Sequence, residues 1–161
     1  MATYDVTGVG GTTGHPSNGR TPYLVENTID VSTINGDSGA AANDVLRVLD
    51  IPAETLIMEA GIEVITALSS SVTLDLGITG GDVDAFVDGF AYDSATAGSY
   101  ATLANTACPI LVTTSDTIDV LIQAATTVST AGKVRVWAML MDVDSVGSSK
   151  EADEVARDYL A

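Results

Sequence analysis

From Thr21 onward the chain alternates. Val25, Asn27, Ile29 and Val31 fall on one side of an extended backbone and Leu24, Glu26, Thr28 and Asp30 on the other, the period of a strand with one wet face. A Gly/Ser/Ala/Asn loop at 35–43 separates this strand from an apolar segment over 44–50, which breaks at Ile51-Pro52-Ala53. The clearest strand follows: Met58, Ala60, Ile62 and Val64 face one way, and Glu59, Gly61 and Glu63 face the other. Val72, Leu74 and Leu76 against Thr73 and Asp75 predict the next, closed by Gly77 and a Gly80-Gly81 turn. Residues 82–105 are irregular, with Phe86, Phe90, Tyr92 and Tyr100 scattered among small and polar residues, and are expected to form a surface excursion with one or two short strands. Regularity returns at 110–113, at Ile118, Val120 and Ile122 around Asp119 and Leu121, and at Val134, Val136, Ala138 and Leu140 opposite Lys133, Arg135 and Trp137.

The two ends differ from this body. Gly8, Gly10, Gly11, Gly14, Pro16, Asn18 and Gly19 are too many breakers for regular structure, so residues 1–20 are expected to be an extended arm, either a free tail or a segment that orders against a neighbour. At the other end Ala152, Val155, Ala156, Tyr159 and Leu160 recur at helical spacing on one stripe. Ser148 and Glu151 make a capping box before it, and Asp153 with Arg157 an i,i+4 pair. The stripe over 146–161 either covers the sandwich of its own subunit or docks on a partner, which makes Val155, Ala156, Tyr159 and Leu160 candidate oligomer or capsid contacts. About eight short strands with no helical pattern between them predict an all-β fold over 21–145: an antiparallel, jelly-roll-like β-sandwich.

Charge and composition narrow the partners. Of 161 residues, 22 are acidic and 6 basic, a net charge of -16, and the bases (Arg20, Arg47, Lys133, Arg135, Lys150, Arg157) form no cluster along the chain. Binding to nucleic acid or to an anionic membrane requires clustered Lys and Arg, so both are disfavoured. No apolar run approaches the roughly 20 residues that span a bilayer, so the chain is expected to be soluble. The N-terminus, Met1-Ala2-Thr3-Tyr4-Asp5, has no charged and apolar leader pattern, and synthesis in the cytoplasm is expected. With Cys108 as the one cysteine, no intrachain disulfide can form.

Candidate chemistry is sparse. The one histidine, His15, lies in the glycine-rich arm beside Pro16, away from any scaffold that would hold a catalytic triad. Cys108, before Pro109 at the start of an apolar strand, fits a small buried hydrophobe. The glycines at 8, 10 and 11 lack the spacing and following helix of a phosphate cradle. Asp82, Asp84 and Asp88, within the run Gly80 to Gly89, are the most suggestive group, because three carboxylates this close suit a calcium ion. The run departs from an EF-hand loop, however: Phe86 stands at the third ligand position, the glycine falls late, and no closing glutamate follows. Asp and Gly also end strands and cap turns routinely. Glu59 and Glu63 share a strand face, but a glycosidase pair needs stacking aromatics, and aromatics make up 5% of the chain. The expectation is a protein that is not an enzyme and carries no cofactor.

Three runs resemble a known group. Val48 to Ile57 (containing Ile51-Pro52-Ala53-Glu54-Thr55), Leu76 to Gly89 (containing Gly80-Gly81-Asp82-Val83-Asp84) and Val134-Arg135-Val136-Trp137-Ala138 resemble small virion proteins of tailed phages, especially marine ones. The resemblance spans roughly 44–142 and rests on strand and turn residues. It implies a jelly-roll capsid decoration or cement protein, often homotrimeric, whose partners are the major capsid protein and itself, on the virion surface after synthesis in the host cytoplasm. Related sandwiches serve in head fibres, spikes and tails. From a different class, a calcium-dependent carbohydrate-binding module would present exposed aromatics drawn from Trp137, Phe86, Phe90, Tyr92 and Tyr100.

Overall fold

The computed structural model describes residues 21–30, 33–34, 41–67, 72–78, 80–92, 96–102, 108–125 and 132–143. The N-terminal arm at 1–20, with His15, and the C-terminal stripe with Val155, Ala156, Tyr159 and Leu160 lie outside them.

The described residues form nine strands: β1 Tyr23–Asp30, β2 Val45–Ile51, β3 Thr55–Thr66, β4 Val72–Ile78, β5 Val87–Ala91, β6 Tyr100–Thr102, β7 Ile110–Val112, β8 Asp116–Ala125 and β9 Lys133–Asp142. They make two antiparallel sheets. One has five strands in the order β1-β9-β3-β6, with β7 also on β3; the other has four, β2-β8-β4-β5. Consecutive strands are often in different sheets, so the chain crosses repeatedly between layers, as an antiparallel sandwich requires. The all-β sandwich read from the alternation is the observed fold.

The core lies between the sheets. Ile57, Ala60, Ile62 and Val64 of β3 and Val134, Val136, Ala138 and Leu140 of β9 meet Leu74 and Leu76 of β4 and Ile118, Val120 and Ile122 of β8. Each of these side chains is fully buried, and each fully buried Val, Leu or Ile contributes about 1.5–3 kcal/mol relative to leaving it exposed. Asn27 reaches from β1 to the other sheet, its Nδ2 donating to the Val48 carbonyl at 3.1 Å.

Four local expectations are corrected. Met58 does not share the inward face with Ala60, Ile62 and Val64. The ladder to β9 slips between Ile57 and Glu59, so Met58 is the extra residue of a β-bulge and is 40% exposed. The inward set before the bulge is therefore Thr55 and Ile57. β2 runs through Ile51 instead of breaking there, and Ile51 is buried. β4 does not stop at Gly77, because Gly77 pairs with Asp119 and Ile78 with Ile118. Finally, the stretch from Asp82 does contain two short strands but is no surface excursion: Ala85, Phe86, Val87 and Tyr92 are buried, Phe86 and Tyr92 completely.

Candidate functional site

Two outward surfaces carry the polar and exposed apolar residues that could do something. The first is the β4–β5 corner. Gly80, at a positive φ of 68°, begins a turn in which the Gly81 N–H donates to the Ile78 carbonyl at 3.1 Å and the Ile78 N–H to the Asp82 carbonyl at 3.0 Å. This folds the chain back across the outer face of the four-stranded sheet, directly over Gly77, where a Cβ would overlap the backbone of Asp82 and Val83. The chain then turns inward. The Phe86 N–H donates to the Leu76 carbonyl at 2.9 Å, and its ring fills the core.

The candidate carboxylates sit on this corner. Asp82 and Asp84 are hydrogen-bonded to each other, which raises the Asp82 carboxyl above its ordinary range, with burial and the Asp84 charge adding to the rise. Asp88 is exposed on β5. Beneath them lies Asp75, which the alternation of β4 sets on a polar strand face but which is buried. Burial raises its carboxyl, the Gly89 N–H donated to its Oδ1 at 2.7 Å opposes that, and the charges of Asp88 and Asp84 raise it further. Among the described residues no group of three or more His, Cys, Asp or Glu side chains is placed to hold a metal ion.

The second surface is the outer face of the five-stranded sheet, and it is divided. At one end Arg135 bridges three strands: its Nη2 and Nε donate to Glu63 Oε2 at 2.7 and 3.0 Å, and Nη1 lies 3.7 Å from Glu26 Oε2. The Glu63 partnership, with Glu26 adding to it, raises the guanidinium further above its already high value. Lys133 extends the ladder to Asp30 at 3.4 Å. Glu63 is thus an ion-pair partner, while Glu59 is exposed. At the other end the same face is apolar. Register places Leu111, Leu56 and Met141 in one row and Leu24, Met139 and Glu59 in the next, with Glu26, Trp137 and Gly61 beyond them, so two glutamates edge the apolar residues. Leu24 is 56% exposed and Leu111 51%. The Trp137 indole lies on Gly61, where a Cβ would come within 2.8 Å of Cζ2.

The aromatics do not converge. Phe86 and Tyr92 are interior, Phe90 packs against the core, and Tyr100 is 71% exposed on the short strand β6. The Tyr92 hydroxyl donates to the Thr66 carbonyl at 2.6 Å, and burial, then the charge of Asp30, push its pKa up to about 12. Cys108 is half-buried against the core, its thiol pushed up by burial and then by Glu59. A wide depression beside β2 and the β7–β8 turn has Arg47, Asp50, Ser115 and Asp116 in its wall and, among the described residues, no histidine, cysteine or lysine in its lining. A smaller apolar one of about 120 Å³ lies between Val45, Val83 and Leu121. No helix among the described residues is long and apolar enough to cross a membrane.

No protein-family model matches the chain, and no curated protein matches its sequence. Among solved structures, the fold is shared with a chain from the capsid of Ralstonia phage GP4, at a TM-score of 0.57 and 17% identity, over 76% of this chain and 86% of that one. A chain of the acidic stable capsid of Helicobacter pylori bacteriophage KHP30 matches at 0.56 and 15% identity, over 78% and 90%. One from the capsid asymmetric unit of cyanophage Pam1 matches at 0.60 and 17% identity, over 87% and 97%. At these identities the likeness is one of fold.

Proposed function

We propose that this chain is a structural protein of a phage virion, and specifically a decoration (cement) protein that sits as a homotrimer on the capsid surface and bridges neighbouring copies of the major capsid protein. The observation that carries the reading is the near-complete overlap with capsid chains: 97% of one matched chain is covered, over 87% of this one. A capsid chain covered so fully has little room for a further shell-forming domain. That favours a protein added to a shell over one that builds it.

The physics supports the same role. A cement protein raises the number of contacts that must break together before capsomers separate, and a symmetric oligomer puts an identical patch at each junction. A rigid sandwich with a divided outer face, apolar at one end and charged at the other, is a suitable spacer. The net charge of -16 would keep decorated particles from associating. Synthesis would take place in the host cytoplasm, and the role requires no catalytic step.

Light scattering on purified protein, followed by rebinding to capsids stripped of it, tests the proposal. A mass of three chains, with saturable binding that raises the temperature of head rupture, is the expected result. A monomer without affinity for the shell would overturn the cement reading.

A further inference from the structure

The apolar end of the five-stranded sheet leaves Leu24, Leu56, Met58, Leu111, Trp137 and Met139 facing outward across several strands, edged by Glu59 beside Met139 and Glu26 beside Trp137, although the ion-paired end of the same face shows that polar residues are readily accommodated there. A contiguous patch of this kind on a small sandwich marks a contact surface. We infer that its occupant is the chain's own C-terminal segment, whose stripe of Ala152, Val155, Ala156, Tyr159 and Leu160 packs over Trp137 and the rows beside it.

Three observations select that occupant. First, the chain leaves the sheet at the right place. β9 lies between β1 and β3, it ends at Asp142 beside the apolar rows rather than beside the Arg135 ladder, and the Val143 N–H is fixed to the Glu54 carbonyl at 2.8 Å. Second, the lengths match. Eight residues separate Val143 from Ala152, a reach of up to roughly 30 Å. As a helix, the stripe from 152 to 160 spans about 12 Å, against roughly 14 Å along the strand from Met141 to Trp137. Third, the chemistry fits: the stripe is apolar with one tyrosine, while Glu151, Glu154 and Asp158 fall on the side turned from it and would stay in water. Docking on the same subunit closes only a short loop, whereas docking on a neighbour requires a second copy at high local concentration. This docking does not depend on where the protein resides.

Trp137, the one tryptophan, reports on the contact directly. In the full-length protein its emission should be blue-shifted and shielded from acrylamide. The double variant Val155→Asp/Leu160→Asp should red-shift the emission and increase quenching while the far-ultraviolet sheet signal is kept, and Glu154→Gln should change neither. To separate the chain's own tail from a neighbour's, the double variant is co-refolded with full-length Trp137→Phe protein, which is silent but carries an intact tail. Shielding should stay lost. If it is restored, a second copy is the occupant and the inference fails; it fails equally if the double variant leaves Trp137 shielded, or if the sheet signal collapses.

Discussion

The outer faces of the two sheets are built from the same kind of alternating sequence and end up in different environments. On the five-stranded sheet the outward residues are left accessible by the other described residues: Arg135 pairs with Glu26 and Glu63 across three strands, and Leu24 and Leu111 stay exposed. On the four-stranded sheet the β4–β5 connection folds over Gly77, and Asp75 and Asp119, outward by register, are buried. Alternation sets which side of a strand a residue takes. Whether that side meets water depends on where the connections run, and at Asp75 the cover raises the carboxyl above its ordinary range.

The largest effect that would break this contrast is at the close approach of loop and sheet. Gly77→Ala sets a methyl against the backbone of Asp82 and Val83, which cannot rotate away, and should cost about 3 kcal/mol. Gly61→Ala on the other sheet meets chiefly the Trp137 side chain, with the Ala101 carbonyl also at 2.8 Å, and should cost about 1–2 kcal/mol with a change in Trp137 emission. Urea unfolding of both variants checks the order, and equal losses would mean that the loop over Gly77 yields as easily as a side chain.

A smaller, pH-dependent effect belongs to Asp75. Its carboxyl is raised in the folded protein, chiefly by burial, so its contribution to stability is fully present below the ordinary carboxylate range and is lost as pH rises through the folded value. Asp75→Asn keeps an oxygen to accept the Gly89 N–H and removes the charge facing Asp84 and Asp88. The variant should melt higher than the parent at pH 7, and the gap should close on acidification through the raised pKa. A variant that melts lower at pH 7 would show that the bond to Gly89 needs the full charge.

The smallest effect is expected at Arg135. Arg135→Gln leaves Glu63 and Glu26 without their cation on an accessible face, where exposed pairs are weak and screened by salt. Thermal melts at low and high salt should show a slight loss that salt reduces. A large loss independent of salt would mean that this ladder is as enclosed as the opposite face.

Much of the fold was legible in the chain because period-two alternation and the strand period coincide over β1, β4, β8 and β9. The misreadings have physical causes. Alternation alone sets Met58 inward, because a bulge shifts the pairing by one residue without changing the hydrophobicity pattern. Phe86 and Tyr92 looked like surface residues because their neighbours are Asp, Ser and Gly, yet backbone bonds to Leu76 and Val72 turn both into the core. The candidate carboxylates were legible as a group along the chain. That Asp75 lies beneath them was not, since it comes from a separate strand and only the turn at Gly80 brings the two together.

Sequence alone therefore determined the class of the fold, the inward faces of most strands, the acidity and the scarcity of catalytic residue types, all of which follow from local periodicity and composition. Tertiary structure decided which outward face stays open, which carboxylate is desolvated, and that the exposed apolar rows gather at one end of one sheet. Those properties depend on strand order and on the path of a connection, which bring residues far apart in the chain together and leave no local trace in it.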